Sequence, residues 1–185
     1  MSQAKVIVDS ERFQLIIDRL CYQLIEDYDT FANTCLIGIQ PKGSMLSDRL
    51  KARLSDILGH QRFLYGKLDI TFYRDDFRRM GKILNPSPME IDFSVEEKDV
   101  ILCDDVLYTG RTARAALTAL DHLGRPNTVH FVSMVDRRFN RQLPIRSDYT
   151  GMRVDALDEA YVKVEWAHQD GKDQILLFSD KKGVN

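Results

Sequence analysis

The sequence contains no long apolar run and few cysteines, and each absence excludes a class of protein. No segment reaches the roughly 18 unbroken apolar residues that a membrane span requires, and no apolar stretch follows a basic region at the N-terminus. The 3 cysteines among 185 residues lack the close pairing of a zinc site or a thiol-redox motif. We therefore expect a cytoplasmic protein in which Cys21, Cys35 and Cys103 are reduced and mostly buried.

The charges nearly cancel, which limits the classes of partner. With 26 basic and 28 acidic residues the formal net charge is -2, so the chain has no bulk attraction for nucleic acid, although a local basic face remains possible. The 44% of hydrophobic and 29% of charged residues are typical of a globular protein. A length of 185 residues is most simply one domain, spanning residues 1–185.

Apolar periodicity predicts strands that alternate with helices. Ser10 is predicted to cap a first helix, and Gly59 to end a second helix that follows a turn at residues 40–43. A third helix is predicted at residues 112–123, with Ala113, Ala116, Leu117 and Leu120 facing inward. Strands are predicted at residues 35–39, 66–73, 100–103 and 128–135, with a closing hairpin at 161–166 and 174–178. This alternation is typical of an α/β fold with a mostly parallel sheet and helices on both faces.

In such sheets ligands bind at the carboxyl ends of the strands, so the residues that follow each strand are the candidates for chemistry. These residues are 40–43, 73–76, 104–112 and 136–138. The polar segment at residues 74–97 lacks periodicity, which favours a functional lid or an extended hairpin. A disordered surface insertion is the alternative for that segment.

The strongest chemical signal is the run VILCDDVLYTGRT at residues 100–112. Asp104 and Asp105 end a buried strand in this interpretation and offer acceptors for sugar hydroxyls or a hydrated divalent cation. A turn with Gly110 then opens a helix, whose first N–H groups and positive dipole favour a phosphate. Capping of the helix by the two acids is the alternative, although a cap requires one polar residue and not the whole run. The spacing fits neither a P-loop nor a dinucleotide-binding fingerprint.

The run at residues 103–112 resembles the signature of the type I phosphoribosyltransferases, which bind phosphoribosyl diphosphate. Its amino-acid sequence is similar to that of one branch of the family, the pyrimidine operon regulators that are also uracil phosphoribosyltransferases. Further segments are similar to the same family in the same order: residues 36–39, 69–76, 135–137 and 143–149. The resemblance implies the type I phosphoribosyltransferase fold, with a flexible loop at about residues 74–97 and a small hood.

The resemblance also implies roles for individual residues. Asp104 and Asp105 would hold the ribose hydroxyls and, indirectly, Mg²⁺, and Arg74 would act with them in catalysis. The 5-phosphate would bind a segment made of Leu107, Tyr108, Thr109, Gly110, Arg111 and Thr112. The remaining substrate contacts would come from Lys42, Gly43, Tyr73, Asp75, Val135, Asp136 and Arg137. From the residues alone, Lys42 and Arg137 are also compatible with solvated surface charge.

The implied reaction joins uracil to phosphoribosyl diphosphate and gives UMP and pyrophosphate. Loss of pyrophosphate leaves positive charge on the ribose, so Mg²⁺, Lys42 and Arg74 would stabilise the leaving group. In purine-specific relatives an acid stands at the position of Tyr108, and a tyrosine, with a reference pKa of about 10, is a poor base at neutral pH. This difference favours a pyrimidine substrate, and a phosphoribosyltransferase for another base is the alternative.

The resembled regulators also bind leader mRNA and self-associate. Candidate RNA-binding residues in this sequence are Arg19, Arg141 and Arg146. The first helix also carries Glu26 and Asp27, whose charges repel phosphate, so ordinary solvated charge is the alternative. A homodimer or higher homo-oligomer is implied, and a rival function is an RNA-binding regulator that keeps the nucleotide site as a UMP sensor.

Overall fold

The computed structural model describes residues 4–59, 63–74, 89–155 and 160–179. The strands in these ranges are β1 (Lys5–Val8), β2 (Thr34–Ile39), β3 (Leu64–Leu68), β4 (Asp99–Leu107), β5 (Thr128–Arg137), β6 (Tyr149–Val154), β7 (Tyr161–Glu165) and β8 (Gln174–Phe178). The helices are α1 (Ser10–Tyr28), α2 (Lys42–Leu58), α3 (Arg111–Leu120) and α4 (Ala167–Asp170), with a 3₁₀ turn at Thr71–Tyr73. None of the described helices combines the length and apolar content that crossing a bilayer requires.

The strands form two sheets of different kind. The larger sheet has the order β3-β2-β4-β5-β6, and every neighbouring pair in it is parallel. The smaller sheet has the antiparallel order β1-β8-β7, and together with the segment of α4 that joins β7 to β8 it forms what we call the hood. The predicted α/β class, parallel sheet, closing hairpin and small hood are therefore confirmed.

Helices cover both faces of the parallel sheet, as predicted. On one face α1 and α2 bury Leu24 and Leu50 in the same apolar cluster as Leu36 of β2. On the other face α3 buries Leu120 in a second cluster that contains Ile37. Leu36 and Ile37 belong to different clusters because successive residues of a strand point to opposite faces. Each fully buried leucine contributes about 1.5–3 kcal/mol to stability, so both faces hold the sheet in place.

Apolar periodicity did not predict β1 or β6. β1 is a four-residue strand in which only Val8 is buried, so it carries too short a pattern to be recognised. β6 contains Gly151, which interrupts its apolar alternation. A Cβ at Gly151 would lie 2.4 Å from the carbonyl oxygen of Met134, so close packing against β5 requires the glycine.

Two predicted helix descriptions are wrong. α1 is capped by Asp9, whose carboxylate accepts a hydrogen bond from the Arg12 N–H, and not by Ser10. α3 ends at Leu120, earlier than predicted, and Leu117 is 40% exposed instead of facing inward. The Gly59 stop of α2 is confirmed by its left-handed conformation.

Strand boundaries also differ from the prediction. β3 ends at Leu68 because the Asp69 carboxylate accepts hydrogen bonds from both the N–H and the hydroxyl of Thr71, which starts the 3₁₀ turn. β4 and β5 extend past their predicted ends. Asp104 and Asp105 therefore lie inside a strand and not after it.

The predicted flexible loop at residues 74–97 falls mostly outside the described ranges, and Asp75 lies outside them as well. Its last part is described and packed. Lys67 and Glu90 exchange two backbone hydrogen bonds of 3.0 and 3.1 Å, and Val95 is fully buried. The end of the predicted loop therefore belongs to the packed structure beside β3.

Candidate active site

The carboxyl ends of the parallel strands meet at one edge of the sheet, and the predicted site residues of β4 and β5 lie there. The parallel register pairs Leu107 of β4 with Asp136 of β5. On the other side of β4 it pairs Gly38 of β2 with Cys103, so the turn into α2 adjoins Asp104. Separate segments of the sequence thus converge around the two adjacent acids.

Asp104 and Asp105 form a buried acid pair, with 6% and 8% of their surface exposed. The Asp105 N–H donates to Asp104 Oδ1 and the Val106 N–H donates to Asp105 Oδ1, both at 2.9 Å. Burial, reinforced by the charge of Asp105, raises the pKa of Asp104 well above its usual range. Burial also raises the pKa of Asp105, although the Lys42 ammonium opposes this effect. The protein alone therefore compensates the charge of the pair only in part.

α2 begins directly beside the acid pair. Lys42 Nζ lies 3.9 Å from Asp105 Oδ2, and 42% of the lysine side chain is exposed. Gly43 permits this approach, because a Cβ there would lie 2.3 Å from the carbonyl oxygen of Cys103 and 2.9 Å from Asp104 Cα. The geometry favours an electrostatic role for Lys42 over that of a solvated loop lysine.

The 3₁₀ turn after β3 supplies two further predicted residues. Burial raises the pKa of Asp104, and the positive charge of Arg74 opposes that effect. Tyr73 contacts His122 just beyond α3, with ring centroids 5.6 Å apart. Arg74 is thus close enough to influence the acid pair, whereas Tyr73 ties the turn to the α3 side of the sheet.

The chain turns from β4 into α3 at Gly110. This residue has a φ of 90°, a left-handed conformation that disfavours side chains with a Cβ. It is also the N-cap of α3 and has no side chain to cap the helix, although the Thr109 hydroxyl accepts a long hydrogen bond of 3.4 Å from the Arg111 N–H. The alternative in which Asp104 and Asp105 cap α3 is therefore wrong. A helix start without a side-chain cap at this edge of a parallel sheet suits an anion such as phosphate.

The end of β5 lies on the other side of this turn. Val135, Asp136 and Arg137 are all buried, which excludes the surface-charge alternative for Arg137. The Arg137 guanidinium carbon lies 4.0 Å from the centroid of the Tyr108 ring, and its Nη2 donates to the carbonyl oxygen of Ala160 at 2.9 Å. Arg137 Nε is buried without a hydrogen-bond partner among the described residues. An unsatisfied buried donor is typical of a site that a ligand completes.

Sequence patterns missed the position of two residues at this edge, Arg141 and Gln142. Arg141, predicted to contact RNA, donates to the carbonyl oxygen of Tyr108 and to the carboxylate of Asp136. The Gln142 N–H donates to the carbonyl oxygen of Thr109 at 3.0 Å. Their place shortly after β5 is the signal that could have found them, since residues that follow a strand are candidates.

The other two predicted RNA-binding residues have different surroundings. Arg19 donates to the carbonyl oxygen of Thr150 and so links α1 to β6. Arg146 and Arg153 line an open pocket of about 380 Å³ beside the start of β6. Arg141 is held at the active-site edge instead, so the structure does not place the three predicted arginines in a single patch.

The donor set at the acid pair fits Mg²⁺. Mg²⁺ commonly takes one or two carboxylates and completes its shell with water and substrate phosphates. Within the described ranges no cluster of three or more metal-ligating side chains is present, so a metal here would depend on the substrate for most of its ligands. Burial raises the pKa of Asp104 and of Asp105, which means that their ionised forms are disfavoured in the chain alone. A cation bound beside them would stabilise the ionised forms.

Comparison with known proteins points to one family. A model of the phosphoribosyl transferase domain matches residues 3–169. The bifunctional protein PyrR of Haemophilus ducreyi is 40% identical over 179 residues, covering 97% of this chain and 99% of that protein. The bifunctional protein PyrR of Actinobacillus pleuropneumoniae is 38% identical over 177 residues, covering 96% and 98%. A solved hypoxanthine phosphoribosyltransferase from Staphylococcus aureus has a TM-score of 0.68 at 22% identity, covering 98% of this chain and 94% of that one, and it shows the fold alone.

A parallel sheet with a small hood, together with the domain match, defines the fold of a type I phosphoribosyltransferase. Within that class, the chain belongs to the family of proteins named bifunctional protein PyrR. The family resemblance inferred from residues 103–112 is thereby confirmed.

Proposed function

We propose that the protein is a uracil phosphoribosyltransferase that uses Mg²⁺ and converts uracil and phosphoribosyl diphosphate into UMP and pyrophosphate. The buried acid pair of β4 is the observation that carries the proposal. Asp104 and Asp105 are buried beside Lys42, and the strand that holds them leads directly into an uncapped helix start. Ribose hydroxyls, pyrophosphate and the 5-phosphate each have a chemically suitable partner in this arrangement.

In this proposal the acid pair and its neighbours bind the sugar and the leaving group. Asp104 and Asp105 accept hydrogen bonds from the ribose hydroxyls and help to hold Mg²⁺. Lys42 and Arg74 stabilise the charge of pyrophosphate in this proposal, which is supported by their proximity to the acid pair and by the close approach that Gly43 permits. Mg²⁺, when bound, neutralises further charge on the leaving group.

The 5-phosphate binds the turn between β4 and α3 in the proposal. Its proposed ligands are the backbone and hydroxyl donors of the turn, contributed by Leu107, Tyr108, Thr109, Gly110, Arg111 and Thr112. Tyr73 and Asp75 complete the proposed contacts on the side of the loop. The glycine conformation at the N-cap supports this role, because it lets backbone N–H groups approach an anion.

The reaction forms a bond between uracil N1 and the ribose C1′ and breaks the bond from C1′ to the pyrophosphate oxygen. The N1 proton leaves to solvent and the bonding electron pair departs with pyrophosphate. The base is proposed to lie against Val135, Asp136 and Arg137, where the buried Arg137 Nε is available as a donor to a base carbonyl. Closure of the loop after Arg74 would exclude water that could otherwise capture the sugar.

The proposal is tested by incubating the protein with labelled phosphoribosyl diphosphate, Mg²⁺ and a panel of bases that includes uracil, hypoxanthine, guanine and adenine. UMP is expected as the main product, and chelation of Mg²⁺ should stop its formation. Nucleotide formation from a purine but not from uracil would support the alternative of another base. Absence of any nucleotide product would leave the family membership intact and refute the proposed activity.

A second candidate function is an RNA-binding regulator that senses UMP. The observation that favours it is that Arg146 and Arg153 line the same open pocket. Two acids, Asp27 and Asp148, line this pocket as well. Leader mRNA should then bind with an affinity that falls as salt rises and that changes when UMP is added. Arg146→Ala should weaken that binding, whereas Arg141→Ala should affect it less. Binding that is insensitive to both UMP and Arg146 would exclude this function.

We further propose a single domain and self-association. One apolar cluster contains Leu36 of the parallel sheet together with Val162 and Ile175 of the hood, which supports a common core. A single cooperative unfolding transition is expected from calorimetry. Sedimentation should show a homodimer or a higher homo-oligomer, and a monomer at all concentrations would refute self-association.

A further inference from the structure

The segment at residues 141–145 lies directly against the turn that joins β4 to α3. The segment contacts each of the four consecutive turn residues 108–111. Arg141 reaches the carbonyl oxygen of Tyr108, and the Gln142 N–H donates to the Thr109 carbonyl oxygen at 3.0 Å. In the other direction the Arg111 Nε–H donates to Gln142 Oε1 at 2.7 Å. These contacts fix the backbone of the turn from its outer side.

Gly110 is enclosed by the same segment. A Cβ built at Gly110 would lie 3.4 Å from Leu143 Cβ and 3.5 Å from Ile145 Cβ. The segment therefore packs closely against the one turn residue whose φ of 90° is left-handed. Because Gly110 has no side chain to cap α3, and the Thr109 hydroxyl accepts from the Arg111 N–H only at 3.4 Å, the segment adds restraint that a capping side chain would otherwise give to the helix start.

Arg141 also connects the turn to β5. Its guanidinium forms an ion pair with the Asp136 carboxylate, and only 18% of the arginine side chain and 10% of the aspartate side chain are exposed. Asp136 in turn is paired in the sheet with Leu107. The same guanidinium thus holds the first part of the turn and the end of the neighbouring strand in one arrangement, and in this shielded setting the ion pair is screened little by solvent.

We propose that Arg141, supported by Gln142, is a positioning residue for phosphate binding, and that residues 141–145 hold the 108–111 turn in the geometry that the 5-phosphate requires. The inference rests on the proposed function, since it concerns the same site. Backbone donors bind an anion well only when their directions are fixed beforehand, because ordering them on binding costs affinity. Loss of the restraint should therefore lower the affinity for ligands that carry the phosphate and leave the binding of the base unchanged.

The test compares Arg141→Met, Arg141→Lys and Gln142→Ala with the unaltered protein. Calorimetry with Mg²⁺ present measures the affinities for UMP and for ribose 5-phosphate, and steady-state kinetics measure KM for phosphoribosyl diphosphate and for uracil. Arg53→Met is the matched control, because Arg53 also pairs with an aspartate, Asp18, at 2.8 Å, but between α1 and α2. Thermal unfolding of every variant reports on general destabilisation.

Arg141→Met is expected to lower the affinity for UMP and for ribose 5-phosphate about tenfold, which is the usual effect of losing a charge-assisted hydrogen bond. The KM for phosphoribosyl diphosphate should rise in parallel, while KM for uracil changes by less than about twofold. Arg141→Lys should recover part of the affinity, and Gln142→Ala should cause a smaller loss. Arg53→Met should leave both affinities unchanged.

Several results would overturn the inference. They are unchanged phosphate-ligand affinity in Arg141→Met, an equal loss in Arg53→Met, or an equal rise of both KM values. If Arg141→Met does not fold, unaltered affinity in both Arg141→Lys and Gln142→Ala overturns it equally. Failure of the unaltered protein to bind UMP and ribose 5-phosphate refutes the proposed function instead, so the two failures are distinguishable.

Discussion

The acidic residues at the end of β4 and those of the hood have opposite electrostatic surroundings. Burial raises the pKa of Asp104 and Asp105 at the end of β4. In the hood, the hydrogen bond from the Trp166 N–H, supported by Lys163, lowers the pKa of Asp170. Glu165 is also partly buried, which raises its pKa, but hydrogen bonds from Lys163 and Gln174 outweigh burial and the net shift is downward. The hood acids are matched by donors within the chain, whereas the β4 acids are matched only in part.

This difference separates carboxylates that stabilise the fold from carboxylates that we propose to bind a ligand. A carboxylate with enough donors stabilises the folded chain when it ionises, because its charged form is favoured there. A buried carboxylate with too few donors destabilises the chain when it ionises, and it is retained where a ligand or a metal ion supplies the missing partner. The contrast leads to four predictions, which we order from the largest expected effect to the smallest.

The largest effect is expected from changing the β4 acids. The double variant Asp104→Asn with Asp105→Asn should lower turnover at least about 1000-fold, because asparagine cannot balance the charge of Mg²⁺ and the ribose cation. Turnover is measured with uracil and phosphoribosyl diphosphate, and circular dichroism should show an unchanged fold. The hood variant Glu165→Gln is the control and should keep full turnover. Turnover within about tenfold of normal in the double variant would remove the catalytic assignment of the acids.

The next effect is expected from the glycine beside the acids. Gly43→Ala should lower the free energy of unfolding by about 1–3 kcal/mol and reduce turnover, because the added Cβ meets the backbone of β4 and displaces Lys42. Chemical denaturation and steady-state kinetics measure the two effects. Gly171→Ala in the hood is the control: its surroundings are open but its φ is 83°, so it should destabilise the chain without changing turnover. A fully active Gly43→Ala would contradict the proposed placement of Lys42.

A gain in stability is expected when the charge of Asp104 is removed. Since the folded-state pKa of Asp104 is raised above the unfolded value of 3.8, ionisation of this group destabilises the fold at every pH above that value. Asp104→Asn should therefore raise the free energy of unfolding by about 1–2 kcal/mol at neutral pH without Mg²⁺, since the amide oxygen can still accept the Asp105 N–H. At about pH 3 the carboxyl is protonated in both states, so the gain should vanish. A loss of stability at neutral pH would show that the acid is already compensated by the chain.

The smallest effect is expected in the hood, with the opposite sign. Because the folded-state pKa of Asp170 is lowered, its ionisation stabilises the fold above the unfolded value of 3.8, and this contribution is lost as pH falls through the folded pKa. Asp170→Asn should lower the free energy of unfolding by about 0.5 kcal/mol at neutral pH, since the side chain is partly exposed and the amide oxygen can still accept the Trp166 N–H. Denaturation at neutral and acid pH measures the difference. A stabilising effect like that of Asp104→Asn would mean that the two regions do not differ.

The alternating pattern predicted most of the fold, because long apolar segments carry a strong periodic signal. The six strands that were predicted and the three long helices are present, although several of their ends differ from the prediction. The two strands that the pattern did not predict are β1, which is short, and β6, which is interrupted by Gly151. The pairing of both strands depends on neighbours distant in the sequence. Strand ends such as that of β3 are set by local hydrogen bonds of Asp69, which periodicity does not contain.

The candidate site was predictable to a similar degree. Strand-end reasoning and the family resemblance identified Asp104, Asp105 and Lys42, and the structure places these residues together. The contacts of Arg141 within the chain were not predicted, because an arginine in a polar segment has the same appearance whether it contacts RNA, solvent or a buried carboxylate. Its role in RNA binding stays a prediction. Its contact with Asp136 depends on how the chain returns after β5, which no pattern in the sequence specifies.

The sequence by itself determined the alternating fold, the acid pair before a helix and the family, because these follow from local residue order. Only the tertiary structure decided which charges are compensated. Burial and partner distance fix the balance between desolvation and hydrogen bonding, and both arise when distant segments meet. For that reason burial raises the pKa of Asp105 beside Lys42 in β4, whereas hydrogen bonds lower the pKa of Asp170 beside Lys163 in the hood.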